Sequence, residues 1–361
     1  MDVARKPHPV TTPAKNRVTL KDVARAASVS LAAVSYVLND SPHAQRISPQ
    51  TKKRIRAAAQ RLGYQVDPIG RALQRGYTNQ VTLLIVSWDL ALSHAATAMA
   101  ISRAAARHDL ALTVHVADDD EAAETFVRRN VLHRLGGVLV LWDSPAFRES
   151  ALRQIAAEGV PVIDLLPDAP EGLSVVTVDR EDAFFRGTRH LIELGHREIG
   201  LIGDAIHRPQ TTRQKLAGYR RALESAKLPY RQAYVQNVRE FGFEGGQRGF
   251  RVLDRRCPRI TALLCINDAI ALGAMDAARK LGRACPADFS VIGFGHLPEG
   301  DHWHPRLTTF SLSPDRVAAS AIQLISEQRS QRRVEPKAIL ISEHLVLRES
   351  VGPAPKAASC K

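Results

Sequence analysis

The sequence predicts a small all-α module followed by a larger α/β body that is built from two doubly wound lobes. Three observations predict this architecture. Apolar residues at helical spacing dominate the first 64 residues, strands and helices alternate over residues 81–348, and the positive charge is concentrated at the amino-terminal end. The chain of 361 residues is long enough for two or three domains with sizeable cores.

Residues 18–40 predict two short amphipathic helices with a tight break between them. Thr19 caps the first helix, whose apolar face is formed by Leu20, Val23, Ala24 and Ala27. Ser30 caps the second helix, whose buried stripe is formed by Val34, Val37 and Leu38. The opposite side of the second helix carries Ala32, Ser35, Tyr36 and Asn39. A short helix of this kind, held by a partner helix, suits insertion into a DNA groove.

A third helix is predicted to begin after Ser48, with Pro49 in its first turn, and to end at Gly63. Its basic residues lie mostly off the apolar stripe: Lys52, Lys53, Arg54, Arg56 and Arg61. Each of them alone fits a solvated helix face. As a group beside a DNA-reading helix, some of them are expected to meet phosphates.

The charge distribution supports a nucleic-acid partner. Residues 1–80 contain 14 Lys and Arg against 4 Asp and Glu, whereas the remaining residues contain 36 against 33. A basic amino-terminal fifth on a nearly balanced body is typical of a nucleic-acid module joined to something else. The alternative is a solubilising basic tail. Residues 1–16 have no apolar core of a secretory signal and are expected to form a disordered basic arm.

Residues 65–79 predict a linker that becomes helical only against a partner, because helices this short are marginal alone and Gly70 weakens this one.

From residue 81 onward, near-continuous hydrophobic strands alternate with helices, which indicates parallel sheets covered on both faces. The region is large for one sheet, and two similar lobes with a cleft between them fit better. A helix over residues 314–329 and a strand-like segment over residues 337–348 are expected to return the chain between the lobes.

Several classes of protein are not indicated. The four cysteines show no CxxC spacing, which fits a reducing cytosol, and no apolar run reaches membrane-spanning length. We find no GxGxxG after a strand, no GxxxxGK[ST], no GxSxG and no HExxH, so no enzyme activity and no cofactor are expected. His296, His302 and His304 could be weighed as a metal site, but they fit a polar loop facing the cleft better.

The chain resembles the lactose-repressor (LacI/GalR) family of bacterial transcription regulators from about residue 18 to residue 348. The motifs that carry the resemblance stand in the family's order: VTLKDVARAASVS…VSYVLN, RIRAAAQRLGY, VDR…HLIELGHREIGLI, RQKLAGYRRAL, LLCINDAIALGAM, FSVIGF and HPRLTTFSL. The resemblance implies a periplasmic-binding-protein-like body and a homodimer, sometimes a tetramer, on a pseudo-palindromic operator. No apolar heptad tail for a tetramer is visible after Arg348.

The resemblance implies these domains: residues 1–16 as the arm, 17–64 as the helix-turn-helix domain, 65–79 as the hinge, 80–350 as the effector-binding and dimerisation domain, and 351–361 as a tail. It also implies roles for residues at the DNA. The residues expected to contact bases are Leu31, Ala32, Ala33 and Tyr36. Phosphate contacts fall to Thr19, Ser30, Ser35, Asn39 and Ser48, each of which could instead be a cap or turn residue. Leu73 matches the hinge leucine that enters the minor groove, with ordinary linker packing as the alternative.

For the cleft, the resemblance implies effector contacts from Trp88, Asp164, Arg213, Lys215, Phe241, Asn267 and His296. Core packing is the alternative for the two aromatic residues, and a structural hydrogen bond is the alternative for Asn267. Gly295 stands where the family usually has an aspartate that holds sugar hydroxyls. Either His296 replaces this aspartate, or the effector is not a plain sugar.

The expected protein is therefore a sequence-specific DNA-binding regulator, most simply a repressor, that is modulated by a small-molecule effector such as a sugar or a related metabolite. Its expected location is the bacterial cytoplasm, at the nucleoid, without a membrane partner. A periplasmic-type binding protein and an enzyme on the same α/β body are the rival functions. The basic module argues against the first rival, and the lack of a catalytic constellation argues against the second.

Overall fold

The computed structural model describes residues 18–39, 41–65, 77–86, 92–130, 135–142, 145–167, 169–203, 209–240, 242–330 and 335–355. The chain divides into two compact units, Met1–Thr78 and Asn79–Lys361. The predicted hinge leucine Leu73 and the two predicted cleft aromatics, Trp88 and Phe241, lie outside the described residues. Within the described part, no helix has the length and apolar character needed to cross a bilayer.

The first unit contains three helices: α1 (Leu20–Ala27), α2 (Leu31–Leu38) and α3 (Pro49–Leu62). Their caps are those that the sequence predicts. Thr19 accepts from the amide of Asp22, whose carboxylate accepts in turn from the amide of Thr19 at 2.9 Å. Ser30 and Ser48 cap α2 and α3 by accepting from the amides of Ala33 and Thr51, without a returning carboxylate, and Gly63 ends α3 in the left-handed conformation with φ 65°. Each cap satisfies an amide that the first helical turn leaves without a partner.

The core of this unit is small and aliphatic: Val23, Ala24, Ala27, Val34, Val37, Ile55, Ala58 and Ala59. All three helices contribute to it, which explains why helices of eight residues are stable here although they would be marginal alone. One element was not predicted. A 3₁₀ helix, Pro42–Arg46, stands between α2 and α3 and is capped by Ser41.

The second unit contains twelve strands, nine α-helices and one 3₁₀ helix, Gln232–Tyr234, among its described residues. The strands are β1 (Gln80–Val86), β2 (Ala111–Ala117), β3 (Gly137–Trp142), β4 (Val162–Asp164), β5 (Ser174–Val178), β6 (Ile199–Gly203), β7 (Val235–Asn237), β8 (Ala262–Cys265), β9 (Ser290–Phe294), β10 (Thr308–Ser311), β11 (Ala338–Ile341) and β12 (His344–Val346). The helices are α4 (Leu92–Ala106), α5 (Asp120–Asn130), α6 (Pro145–Ala157), α7 (Arg180–Glu193), α8 (Pro209–Ser225), α9 (Phe243–Arg256), α10 (Asp268–Lys280), α11 (Glu299–His302) and α12 (Pro314–Ser330).

The strands form two six-stranded sheets, one for each lobe, as the alternating pattern predicts. The order is β11-β5-β4-β3-β1-β2 in the first sheet and β12-β10-β9-β8-β6-β7 in the second. All pairs in the first sheet are parallel, and β12 runs antiparallel to β10 at the edge of the second. The fully buried strands β6, β8 and β9 explain the near-continuous apolar runs in the sequence.

The chain passes between the lobes three times. It leaves the first lobe after β5, because α7 packs on α8 of the second lobe. It returns after β10, because α12 packs on α4 and β5 of the first lobe. It crosses again between β11 and β12, which belong to different sheets. The segment predicted as one strand over residues 337–348 is therefore two short strands, since each lobe takes one half of it.

Glu343 lies at the third crossing and is connected to the other two. Its carboxylate accepts from the amide and the hydroxyl of Ser313, at the second crossing, over 3.2 and 3.4 Å. Its main-chain oxygen accepts from Arg186 of α7 at 2.6 Å, and Arg180, at the first crossing, and Arg316 are near enough to attract its charge. The side chain is 1% exposed, and this burial raises the pKa of Glu343 to about 7. We call Glu343, Ser313 and the two arginines of α7, Arg180 and Arg186, the crossover cluster.

Candidate functional site

The exposed side of α2 carries the four residues that the sequence assigns to base reading. Leu31 is 44% exposed and Tyr36 is 38% exposed, while Ala32 is exposed and Ala33 is half-buried. Val34 and Val37 of the same helix are buried in the core of the unit. This exposed side, which we call the reading face, therefore presents methyl groups and one phenol. Such groups can contact a thymine methyl, but they cannot form the bidentate hydrogen bonds by which Arg and Asn select guanine and adenine.

The five residues predicted to contact phosphates fall into two groups. Thr19, Ser30 and Ser48 lie at the exposed amino termini of α1, α2 and α3, where main-chain amides and the helix dipole favour an anion. Ser35 and Asn39, in contrast, bond to each other within the module. Asn39 is 7% exposed, and its Nδ2 donates to the Ser35 hydroxyl at 3.3 Å. The structure thus presents the three capping residues to solvent better than the other two.

Helix α3 adds positive charge to the module. Lys53, Arg54 and Arg61 are exposed, and Lys52 is half-buried. Cationic side chains of this kind give sequence-independent attraction to a phosphate backbone.

In the second lobe, Lys215 and Asn267 lie at the carboxyl end of β8. The ammonium of Lys215 donates to the main-chain oxygen of Ile266 at 2.6 Å and lies 4.2 Å from the centre of the Phe294 ring. Lys215 is 7% exposed. Asn267 caps α10, and its side-chain oxygen accepts from the amide of Ile270 at 2.7 Å. Ligands of open α/β sheets bind beyond the carboxyl ends of the strands, so both residues have the expected location.

His296 follows the same sheet edge but turns toward a different partner. Its Nε2 lies 2.8 Å from a guanidinium nitrogen of Arg348 and 3.9 Å from a carboxylate oxygen of Asp301. Because a guanidinium only donates, Nε2 must act as the acceptor in the shorter contact. Gly295 precedes it with φ 132° and contributes no side chain. The side chain of His296 is therefore connected to Arg348 and Asp301, and its amide donates to the Thr309 hydroxyl at 3.4 Å. None of the described contacts connects it to Lys215 or Asn267.

Asp268 is a residue of this edge that the sequence analysis did not single out. It is fully buried, and its two carboxylate oxygens accept from the amide of Leu297 at 2.7 Å and from the hydroxyl of Thr309 at 2.5 Å. Burial raises its pKa, and the hydrogen bonds from Thr309 and Leu297 oppose that shift. A Cβ at Gly293 would lie 2.2 Å from its Oδ1, so this glycine makes room for the carboxylate. Its place directly after Asn267 was the signal that could have identified it.

The other two predicted cleft residues that the structure describes are Asp164 and Arg213. Asp164 ends β4 in the first lobe, is fully buried, and accepts from the amide of Leu166 at 3.0 Å. Arg213 is exposed on α8, two residues before Lys215. Asp164 thus lies at the carboxyl end of a strand of the first sheet. Arg213 lies in the helix that follows strand β6 of the second sheet. Effector contact by any of these residues remains a prediction.

Two family models match the chain. The model described as "Bacterial regulatory proteins, lacI family" matches residues 19–67, and the model described as "Periplasmic binding protein-like domain" matches residues 188–351. The first match covers the three-helix module, and the second covers most of the second lobe together with β11.

Two relatives are similar over most of their length. The catabolite control protein A of Priestia megaterium is 26% identical over 336 residues, which is 92% of this chain and 99% of that protein. The HTH-type transcriptional repressor PurR of Escherichia coli O139:H28 is 27% identical over 339 residues, which is 93% of this chain and 98% of that protein.

Solved structures show the same fold. A complex of the transcriptional regulator CelR with cellobiose aligns with a TM-score of 0.70 at 25% identity, over 92% of this chain and 100% of that one. A lac repressor dimer bound to operator and the anti-inducer ONPF aligns with a TM-score of 0.76 at 23% identity, over 93% and 100%. The module and the body of this chain thus occur together in one known architecture.

Proposed function

We infer that this chain, which belongs to the lacI family of bacterial regulatory proteins, is a transcriptional repressor that binds a specific operator and responds to a small molecule. The observation that carries this conclusion is the combination of elements in one chain. A capped three-helix module with an exposed reading face precedes two doubly wound lobes that are joined by three crossings. The module provides binding to DNA, and the lobes provide a site whose occupancy can change their relative orientation.

The regulation follows from linkage between the two sites. An effector that prefers one arrangement of the lobes shifts the population of the form that is competent to bind DNA. Couplings of this kind are typically about 1–3 kcal/mol, which changes operator affinity by about 5- to 150-fold. Induction and corepression differ only in the sign of this coupling.

At the DNA, we propose that the reading face enters the major groove and that Leu31, Ala32 and Ala33 contact base edges through their methyl groups. Tyr36 adds a phenol that can donate or accept one hydrogen bond. The exposed caps Thr19, Ser30 and Ser48 support phosphate contacts better than Ser35 and Asn39 do, because the latter two are bonded to each other. Leu73, outside the described residues, keeps its proposed place in the minor groove, within the proposed hinge of residues 65–79.

In the cleft, we propose contacts to the effector from Asp164, Arg213, Lys215 and Asn267, together with Trp88 and Phe241 from outside the described residues. Gly295 supplies no carboxylate for sugar hydroxyls, and His296 is engaged by Arg348 at 2.8 Å. We therefore favour an effector other than a plain sugar. Asp268, the carboxylate at this edge, is fully buried and already accepts from Leu297 and Thr309, so we do not propose it as a replacement for the acid that usually holds the sugar.

A homodimer is the assembly that we propose on the operator, with β2 at its interface. This strand is the edge of the first sheet, and Val114 and Val116 are 44% and 37% exposed on it. Met99 of α4 is 61% exposed. An unpaired edge strand with exposed apolar side chains favours aggregation of a monomer. Covering it with a partner chain removes this risk. We also propose that the protein acts in the cytoplasm, at the chromosome, and is not an enzyme, as its relatives are regulators.

The decisive experiment is selection of duplex DNA from a randomised library by the full-length protein. We expect enrichment of a pseudo-palindromic site whose affinity falls steeply with salt. The slope of log affinity against log salt concentration should be about −5 to −9 for about 6–10 phosphate contacts. A ligand-binding protein without DNA function would enrich no sequence. Screening metabolites for a change in affinity for the selected site would then identify the effector.

A further inference from the structure

The 3₁₀ helix between α2 and α3 brings an additional aromatic ring to the reading face. His43, the second residue of this helix, lies against Tyr36 with ring centres 5.1 Å apart and planes tilted by 46°. Aromatic pairs at this distance and with tilted planes attract each other beyond the area they bury. His43 itself is exposed, so the pair stands at the surface of the module.

The position of this ring is determined by main-chain and cap hydrogen bonds. The amide of Ser41 donates to the main-chain oxygen of Tyr36 at 2.9 Å, which joins the start of the segment to the end of α2. The Ser41 hydroxyl accepts from the amide of His43 at 3.4 Å, and the amide of Ala44 donates to the Ser41 main-chain oxygen at 2.8 Å. These bonds place the backbone of His43 beside the end of α2, in a capped turn.

An exposed tyrosine on a reading helix loses side-chain entropy when it becomes ordered on DNA. Ordering of a surface side chain at an interface has a cost, and a contact that orders the side chain beforehand reduces it. The His43 ring contacts the Tyr36 ring at 5.1 Å, and rotation of Tyr36 away from it would give up this contact. The phenol oxygen remains on an exposed side chain, where it can meet a base edge.

We propose that His43 is a positioning residue for operator specificity, which holds the Tyr36 ring in the orientation that reads one base pair of each half-site. The proposal rests on the DNA-binding function above and extends it to a residue that contacts DNA only through Tyr36. The contribution comes from the aromatic ring of His43 and not from its charge. His43→Phe should therefore preserve it, and His43→Ala should remove it.

The test uses the duplex selected from a randomised library by the wild-type, full-length protein. His43→Ala should weaken binding to this duplex by about two- to tenfold, the range that the loss of one aromatic pair produces. It should also relax the preference at the same base pair that Tyr36→Ala relaxes. The double variant should bind no worse than Tyr36→Ala alone, because His43 acts through Tyr36. Gln45→Ala, an exposed change in the same 3₁₀ helix, is the matched control and should leave both readouts unchanged.

The outcomes separate this inference from the function on which it rests. Failure of the wild-type protein to enrich any duplex would contradict the DNA-binding function itself. Enrichment combined with equal losses for His43→Phe and His43→Ala would show that the imidazole contributes a polar contact, and the positioning role would be wrong. Unchanged base preference in His43→Ala would also overturn it, even if overall affinity falls. Circular dichroism of each variant establishes that the module is folded.

Discussion

Replacing Glu343 by glutamine should stabilise the body at alkaline pH and remove part of its pH dependence. The carboxylate is 1% exposed, and burial raises its pKa to about 7, whereas the same group titrates near 4.5 in a solvated chain. Between these two values the folded protein holds a proton that the unfolded chain releases. Raising the pH through this window therefore destabilises the folded state, because the native form binds more protons. The full loss of stability is reached above pH 7, where Glu343 is ionised in the folded protein as well.

The magnitude follows from the difference between the two pKa values. At 1.36 kcal/mol for each pKa unit, ionisation of Glu343 costs about 3 kcal/mol of folding free energy above pH 7, as an upper estimate. Glutamine keeps an oxygen that can accept from Ser313 and carries no charge. The difference in unfolding free energy between the glutamine variant and the wild type should therefore grow by about 1–3 kcal/mol from pH 5 to pH 8.

Urea unfolding followed by tryptophan fluorescence measures this difference for the body alone, since all three tryptophans lie beyond residue 79. Glu299→Gln, which changes an exposed carboxylate of the second lobe, is the matched control and should show a constant difference. The reasoning is refuted if the stability difference for Glu343→Gln is the same at pH 5 and pH 8. That result would mean that the crossover cluster compensates the buried charge fully.

Three further predictions concern the reading face, the hinge and the packing of the body. Tyr36→Arg introduces a guanidinium on the reading face and should shift the preferred base at one position in each half-site, which a repeated selection from randomised DNA would reveal or disprove. Leu73→Ala should weaken specific binding more than binding to random DNA, and equal losses in a competition assay would mean that the leucine is not a minor-groove wedge. Gly246→Ala should destabilise the body by about 3 kcal/mol in urea, because a Cβ there would lie 2.1 Å from the main-chain oxygen of Ile270. Gly242→Ala, whose nearest neighbour would be 3.8 Å away, should be nearly neutral, and similar losses for both glycines would contradict the packing argument.

Local features of the chain were predictable because their causes are local. The caps Thr19, Ser30 and Ser48 follow from hydroxyl side chains placed before apolar helical patterns, and all three are found in the structure. The alternation of buried strands with helices likewise predicted two parallel sheets, to which the antiparallel edge strand β12 is the exception. The split of residues 337–348 between the sheets was not predictable in this way, because it depends on which distant strands, β5 and β10, offer a free edge.

The candidate sites show the same limit. The exposed side of α2 follows from the period of the helix, so Leu31 and Tyr36 could be assigned to it from spacing alone. The contact between Tyr36 and His43 depends on the 3₁₀ turn, and the spacing of apolar residues in the sequence does not predict such a turn. The bond of His296 to Arg348 joins residues 52 positions apart. Sequence spacing could not indicate it, and so it could not show that this histidine already has a partner.

The three crossings also determine the order in which the body can be completed during synthesis. The first lobe takes its edge strand β11 and its helix α12 from residues that follow every strand of the second lobe except β12. A nascent chain that has emerged only as far as β5 therefore has an incomplete first sheet, with one side of β5 unpaired. Domains that are continuous in sequence can fold one after another as they leave the ribosome. Here neither lobe can finish before the other is nearly whole, so the two should acquire their final stability together.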